Sequence, residues 1–186
     1  TIEAGVTVNV DADKSIYVSG TLIAIGTSNS KITFTSSQAS KAAGDWGPLT
    51  FKGSSVDASF DGNGDYSSGS ILKYCIIEYG KGVTMADATP FLHYSTLRYN
   101  NYRVINATMS GSSSGTLKIK NCDIHNNSAG DLLLIYIENS NANTEISYNN
   151  IYSNSSTGSG SSYMIHSDNG AMHNNTLTSN VNANSM

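Results

Sequence analysis

Four side chains with complementary chemistry occur at related positions of the sequence: Glu78, Arg98, Asp123 and His125. A guanidinium can hold the carboxylate of an acidic sugar, and an imidazole or a carboxylate can move a proton. If neighbouring strands bring the four together on one flat face, they form the minimal equipment of an enzyme that acts on acidic polysaccharides. A simpler interpretation fits the same residues: Glu78 and Arg98 form a cross-strand ion pair worth less than ~1 kcal/mol, and His125 is solvated.

Pairs of tyrosines recur at a spacing that could stack their rings. Tyr74 corresponds to Tyr94, and Tyr79 corresponds to Tyr99, in two copies of the repeat described below. Exposed aromatic rings bind the apolar faces of sugars, whereas buried rings only cap the corners of a fold. The four tyrosines are therefore candidate sugar-binding residues.

An acidic, glycine-rich stretch offers a third kind of chemistry. Asp61, Asn63 and Asp65 alternate with glycine, as in the first half of a calcium-binding loop. The pattern then departs from an EF-hand, because Tyr66 stands where glycine is needed and Leu72 where the bidentate glutamate belongs. A flexible acidic turn explains the same residues, so no cofactor is expected unless calcium binds here.

The elements that must position these residues come from an internal repeat. Five nine-residue segments share the form apolar-x-x-[Cys/Ser/Asn]-x-[Ile/Leu]-x-x-[Asn/Gly]. Their Ile/Leu position recurs in steps of 20, 27, 27 and 26 residues. The segments are Leu72–Gly80, Leu92–Asn100, Ile119–Asn127, Ile146–Asn154 and Met172–Asn180.

Steps of this size match one coil of a three-sided solenoid, three short strands with their turns. The repeat therefore predicts an all-β fold, a right-handed parallel β-helix with coils of about 20–27 residues. Equivalent residues stack about 4.8 Å apart, so the first and sixth repeat positions should form two buried apolar columns. The last position, mostly Asn, should adopt the left-handed turn conformation and link coils through its amides.

The rest of the chain divides around this repeat into one β-helix domain over residues 1–186. Residues 1–53 read as opening coils, with strands expected within Gly5–Val10, Ser15–Gly20, Thr21–Gly26, Lys31–Thr35 and Trp46–Phe51. Residues 54–70 form the acidic Gly/Ser loop, 71–180 the Asn-rich coils, and 181–186 a tail. Because no capping segment is recognisable at either end, we expect a fragment of a larger protein, or ends that associate with each other.

The two cysteines test the coil register. Cys75 and Cys122 occupy one column with Ser95 between them. Two coils correspond to about 9.6 Å, which exceeds the roughly 7 Å limit for a disulfide. We therefore expect two buried free thiols and no disulfide.

The composition limits the classes of partner that the protein is expected to bind. Only 13% of residues are charged, against roughly 25% in typical soluble domains. A net charge of −4 argues against nucleic acid, which needs a clustered basic face. No apolar run is long enough to span a membrane. The Asn-, Ser- and Thr-rich composition is typical of a secreted or cell-surface protein.

The opening residues carry a resemblance to a known group. TIEAGVTVNV, IYVSGTLIAIGTSNSKITFTS and GDWGPLTF resemble the first coils of secreted and cell-surface right-handed parallel β-helix repeat proteins of bacteria and archaea, of the pectate-lyase-like superfold. The resemblance covers Thr1 to about Gly53, and the Asn-rich repeats extend it to Asn180. It implies the fold but no single activity, because this group includes lyases, hydrolases, epimerases and adhesins. The paired-Asp and Gly-His-Gly set of polygalacturonases, the Arg-rich strand and Asp ladder of pectate lyases, and the Asp-Pro-His motif of alginate epimerases are missing.

The leading hypothesis is an extracellular non-catalytic module that binds polysaccharide or a cell-surface glycan, or acts in adhesion. The alternatives are a lyase, hydrolase or epimerase acting on acidic sugars, and a structural element that assembles end to end. Ice binding would need outward ranks of threonine on successive coils, and Thr33 and Thr35 are not repeated in this way.

Overall fold

In the computed structural model, residues 1–110, 115–130, 134–139, 143–156, 165–168 and 170–182 are described, and their regular elements are all short β-strands. Short strands are expected where runs of alternating apolar residues are bounded by Gly, Asn and Ser. The strands are β1 Thr7–Val10, β2 Ile16–Val18, β3 Ile23–Ile25, β4 Ile32–Ser36, β5 Leu49–Phe51, β6 Ser59–Phe60, β7 Tyr66–Ser68, β8 Ile71–Lys73, β9 Cys75–Glu78, β10 Val83–Ala86, β11 Phe91–His93, β12 Thr96–Arg98, β13 Ile105–Met109, β14 Thr116–Lys120, β15 Asp123–His125, β16 Ile135–Asn139, β17 Asn143–Ser147, β18 Asn150–Tyr152, β19 Ser155–Ser156, β20 Ile165–Ser167, β21 Gly170–His173, β22 Thr176–Thr178 and β23 Val181–Asn182.

Successive strands visit three parallel sheets in turn, which confirms the predicted three-sided parallel β-helix. Sheet I contains β3, β8, β11, β14, β17 and β21. Sheet II contains β1, β4, β9, β12, β15, β18 and β22, and sheet III contains β2, β5, β10, β13, β16 and β20. Each coil therefore pairs with the coils before and after it, and the five strands expected in residues 1–53 are all present.

The apolar columns lie in the predicted register. Within the inner coils their side chains are fully buried, and each such side chain contributes roughly 1.5–3 kcal/mol of stability. The sheet II column also continues downward through Phe34 to Val8. The paired residues are Ile77, Leu97, Ile124, Ile151 and Leu177 in sheet II, and Leu72, Leu92, Ile119, Ile146 and Met172 in sheet I.

The last repeat position forms a ladder of buried side-chain amides. Asn127 shows the pattern: its Nδ2 donates to the carbonyls of Leu97 (2.9 Å) and His125 (3.0 Å) and to Oδ1 of Asn154 (2.9 Å). Its Oδ1 accepts from the backbone N–H (2.9 Å) and Nδ2 (3.1 Å) of Asn100. The predicted coil-to-coil amide bonds are thus confirmed, and they satisfy backbone groups that the corner leaves unpaired.

A second ladder runs along the column that contains the cysteines. Oδ1 of Asn149 accepts from the backbone N–H of Cys122 (2.8 Å), and its Nδ2 donates to Oδ1 of Asn175 (2.9 Å). In the lower coils the hydroxyl of Ser95 takes this place and accepts from the N–H of Cys75 (3.1 Å). Both cysteines are buried free thiols.

The prediction that the ladder asparagines adopt the left-handed conformation is wrong. The residue before each ladder residue adopts it, with φ between 49° and 60°. That residue makes the sharp turn at the surface, and the turn directs the following side chain inward, where its amide reaches backbone groups. The left-handed residues are Tyr74, Tyr94, Asn121, Tyr148 and Asn174 at the corner between sheets I and II, and Tyr79, Tyr99, Asn126, Ser153 and Ser179 at the end of sheet II.

Gly80 begins the main ladder because Trp46 occupies the space of a side chain. A Cβ at Gly80 would lie 2.5 Å from the indole ring of Trp46, which is fully buried. The indole N–H donates to the carbonyl of Glu78 (2.9 Å), and the N–H of Gly80 still donates to Oδ1 of Asn100 (3.0 Å). At this corner the indole of Trp46 therefore fills the space, and bonds the carbonyl, that a side-chain amide serves in the other coils.

One coil, between Phe34 and Ile77, carries two insertions. Residues 37–48 bring Trp46 into the core and Lys41 onto the outside of sheet II. Residues 52–70 include the antiparallel hairpin β6–β7. The stretch interpreted as an acidic loop is therefore partly a hairpin, because its aromatic side chains pack on sheet I.

The last described coil differs from the inner ones. Met172 and Leu177 are 44% and 50% exposed, although their columns are buried elsewhere. Of the predicted tail, Val181–Asn182 form β23, which pairs with β19, and residues 183–186 lie outside the described residues. The described part of the chain contains no helix that could cross a membrane. End-to-end association stays a prediction.

We predict that Asn127→Ala destabilises the protein by about 3 kcal/mol or more. The change removes the partners of the buried N–H of Asn100 and the buried C=O of Leu97. Each unpaired group costs roughly 1–3 kcal/mol. Chemical denaturation measures the difference. Asn150→Ala, on the exposed outer face of β18, is the control and should change stability by less than ~0.5 kcal/mol. Equal effects would contradict the role assigned to the ladder.

We also predict that neither thiol reacts in the native protein. Burial raises the pKa of both Cys75 and Cys122 to about 12, so little reactive thiolate exists at neutral pH. Mass spectrometry after treatment with a thiol reagent should find no label in native protein and two labels after denaturation. A Cys75–Cys122 bridge in native protein would overturn the coil register.

Candidate functional site

The four charged candidates lie on the outer face of sheet II, in a row rather than a pocket. Arg98 pairs in register with Glu78 on one side and His125 on the other. Its Nε donates to Oε2 of Glu78 at 2.8 Å. Because Arg98 stands between them, Glu78 and His125 are two coils apart, about 9.6 Å along the axis. Asp123 lies on the same face as His125, two residues before it.

Glu78 is engaged in structural contacts. It is only 7% exposed, and its Oε1 accepts from Oγ1 of Thr35 (3.0 Å). Nζ of Lys41, in the first insertion, donates to the same hydroxyl at 3.0 Å. The Thr35 hydroxyl therefore links the insertion to the Glu78 carboxylate, whose two oxygens already have protein partners.

His125 belongs to a row of aromatic rings. Its ring stacks on Tyr152 with 4.8 Å between centroids and forms a T-shaped contact with Tyr99 at 6.4 Å. Desolvation and then the charge of Arg98 lower the pKa of His125, while Asp123 opposes the shift. The imidazole is therefore mostly neutral at pH 7 and contributes a flat polar ring.

The tyrosine pairs stack face to face at the corners. Tyr74 and Tyr94 have centroids 5.1 Å apart and planes 7° apart, and Tyr79 and Tyr99 have centroids 5.5 Å apart and planes 16° apart. Tyr94 and Tyr99 are 41% and 37% exposed. Each pair thus presents aromatic surface to solvent on two successive coils.

These tyrosines occupy an unfavourable backbone conformation. A left-handed φ costs a residue with a Cβ roughly 1–2 kcal/mol, and Asn tolerates it better than a bulky aromatic. The equivalent corners two coils above Tyr74 and Tyr79 are Asn121 and Asn126. Tyrosine at these corners is therefore not what the fold requires.

A cleft of about 450 Å³ lies on the outer face of sheet I, between the hairpin and the Tyr94 corner. Its polar lining comprises Asp65, Lys73, His93, Lys120 and Asn121, and its apolar lining includes Tyr66, Phe91 and Tyr94. This size and mixture suit a small ligand or one or two units of a polymer.

The floor of the cleft is a column of three basic side chains, two lysines and one histidine. Lys73, His93 and Lys120 follow one another in register. The imidazole lies between the rings of Phe91 (4.6 Å) and Tyr94 (4.1 Å). Desolvation, then the charges of Lys73 and Lys120, lower the pKa of His93 to about 4.

The hairpin wall is fixed by packing against sheet I. Phe60 meets Phe91 edge to face at 5.2 Å, and Tyr66 stacks on Phe91 at 6.4 Å. Nζ of Lys118 lies 3.9 Å from the centre of the Phe60 ring and donates to the carbonyl of Gly64 at 3.2 Å. The cleft is therefore formed by contacts between the hairpin and sheet I themselves.

Sequence reasoning missed this cleft. The repeat places Lys73, His93 and Lys120 in one column, but it predicts no second wall beside them. The wall comes from a segment outside the repeat. The only signal was the pair of aromatics, Phe60 and Tyr66, within an otherwise polar stretch.

The candidate calcium residues form a self-capped turn at the hairpin tip. Oδ1 of Asp61 accepts from the backbone N–H of Asn63 and of Asp65, both at 2.9 Å. These bonds give the spacing of the polar residues a structural explanation. Among the described residues no group of three or more His, Cys, Asp or Glu side chains is placed to hold a metal ion. Calcium binding stays a hypothesis.

The outer threonines of sheet II do not form a rank. Thr33 pairs with Ile76, which pairs with Thr96, which pairs with Asp123. This interruption gives no support to ice binding on this face.

Comparison of the chain with protein-family models, with curated proteins and with solved structures finds no match.

We predict a pH-dependent contribution of His93 to stability. Its folded-state pKa, about 4, is below the ordinary value of 6.5, so the unfolded chain binds more protons between these values. Stability should therefore fall as pH drops through this window. NMR should show an imidazole that titrates near pH 4 and is missing in His93→Gln, and acidification should lower the melting temperature of this variant less. A midpoint near 6.5 for that imidazole would contradict the burial of His93 in the cleft.

Proposed function

We propose that this chain is an extracellular, non-catalytic β-helix module that binds polysaccharide through the stacked tyrosines Tyr74/Tyr94 and Tyr79/Tyr99. The observation that carries the proposal is that tyrosine occupies all four of these left-handed corner positions, which asparagine or serine occupies in most other coils. Unfavourable conformations that persist in a well-packed fold point to a use for the side chain.

Ring stacking between coils recovers part of the conformational cost. An aromatic pair is worth roughly 0.5–1.5 kcal/mol, against roughly 1–2 kcal/mol for each left-handed residue. Stability alone therefore does not account for tyrosine at these corners. Flat rings exposed along successive coils suit the apolar faces of successive sugars in a chain.

An extracellular setting agrees with the composition, which has few charges and many uncharged hydrogen-bonding side chains. Such a surface can exchange hydrogen bonds with sugar hydroxyls, and its few charges create only a weak electrostatic potential. The catalytic alternative has less support, because Glu78 is bound by Arg98 and Thr35 and is nearly covered.

We predict that the double variant Tyr94→Asn, Tyr99→Asn loses polysaccharide binding while it keeps its stability. Asn fits the left-handed corner, so the relief of strain and the loss of stacking nearly cancel, and the free energy of unfolding should change by less than ~1 kcal/mol. Affinity for any polysaccharide that the wild type retains should fall about tenfold or more, since 1.4 kcal/mol is a factor of ten.

Affinity electrophoresis in gels that contain neutral or acidic polysaccharides measures the retention, and denaturation measures stability. Tyr17→Asn is the matched control, because Tyr17 is 62% exposed on sheet III and lies outside both stacks. Retention that is unchanged in the double variant, or absent for every polysaccharide, would overturn the proposal.

A further inference from the structure

The sheet I cleft contains more chemistry than an aromatic platform requires. Two lysines, an imidazole, a carboxylate and an amide converge on it beside the Tyr94 ring. A neutral sugar would need only the ring and a few hydrogen-bonding groups. The charges therefore indicate which kind of sugar the cleft takes.

The two lysines differ in their partners. Nζ of Lys120 lies 3.0 Å from Oε1 of Glu145, so its charge is partly compensated. Within the described part of the chain, no carboxylate lies within ion-pair distance of Lys73, whose Nζ is 5.9 Å from the centre of the Tyr74 ring. Lys73 thus offers a cation over the ring of Tyr74, one member of the Tyr74/Tyr94 stack.

His93 separates the two lysines without adding a third charge. With a pKa of about 4, its ring is neutral at pH 7. Nδ2 of Asn121 lies 3.3 Å from its Nε2, as expected of a neutral ring that accepts at this nitrogen. The ring can therefore exchange a hydrogen bond with a ligand without repelling the cations beside it.

The opposite wall carries an acceptor. Asp65, at the hairpin end, is exposed and lines the cleft. A ligand that suits both walls needs an anionic group on the lysine side and hydroxyl donors on the Asp65 side. A simple anion has no donors for Asp65, and a neutral sugar has no negative charge to match that of Lys73.

We propose that this cleft is a subsite for an acidic sugar unit, with its carboxylate or sulfate group between Lys73 and Lys120, its ring against Tyr94 and its hydroxyls toward Asp65. The inference rests on the proposed function, because it names the class of polysaccharide that the tyrosines hold. Charge-assisted hydrogen bonds to lysine supply the preference for the acidic unit.

The test compares binding of one neutral, one carboxylated and one sulfated polysaccharide by wild type, Lys73→Gln and Lys120→Gln. The wild type should retain an acidic chain more strongly than the neutral one, and added salt should weaken only the acidic binding. Lys73→Gln should lower acidic binding about tenfold or more, because the anionic group loses a charge-assisted hydrogen bond, and leave neutral binding unchanged.

Lys52→Gln is the matched control, since Lys52 is exposed and lies beside Tyr17, away from the cleft. Preference for the carboxylated or the sulfated chain identifies the anionic group. Equal losses in Lys73→Gln and Lys52→Gln, or equal retention of neutral and acidic chains, would overturn the acidic subsite while leaving the tyrosine proposal intact. Retention of no chain at all would instead overturn the proposed function, and the subsite with it.

Discussion

Each coil of this solenoid must turn sharply without leaving backbone N–H and C=O groups unpaired in its interior, and buried side-chain amides meet that requirement. Asn127 bonds two carbonyls, one backbone N–H and two neighbouring amides. Because each amide reaches the coils above and below, the ladder also sets the register that stacks Ile124 over Leu97. The apolar core and both flat faces depend on this register.

The periodic part of the fold is predictable from sequence because every coil repeats the same physical problem. Leu97 and Ile124 align as their spacing predicts. The left-handed conformation was predicted one residue too late, because asparagine tolerates it well and most turning residues are instead a tyrosine or a serine, such as Tyr99 and Ser153. The reason for glycine at position 80 was also not predictable from the sequence, since only the folded chain places Trp46 against Gly80.

The candidate sites divide in the same way. Stacking of Tyr74 on Tyr94 follows from the repeat, and so does the row of Glu78, Arg98 and His125. The burial of Glu78 and the cleft over His93 depend on the two insertions, whose packing has no period. Repetition builds the scaffold, and the irregular coil between Phe34 and Ile77 distinguishes one face from another.

The ladder amides all point the same way. Asn100 donates to Asn127, Asn127 to Asn154, and Asn154 to Asn180. Their dipoles therefore add along the axis, as peptide dipoles do in an α-helix, and neighbouring bonds polarise one another. The molecule consequently has a built-in electrical direction: its two ends are electrostatically distinct even where their side chains are alike, and every additional coil lengthens the aligned array.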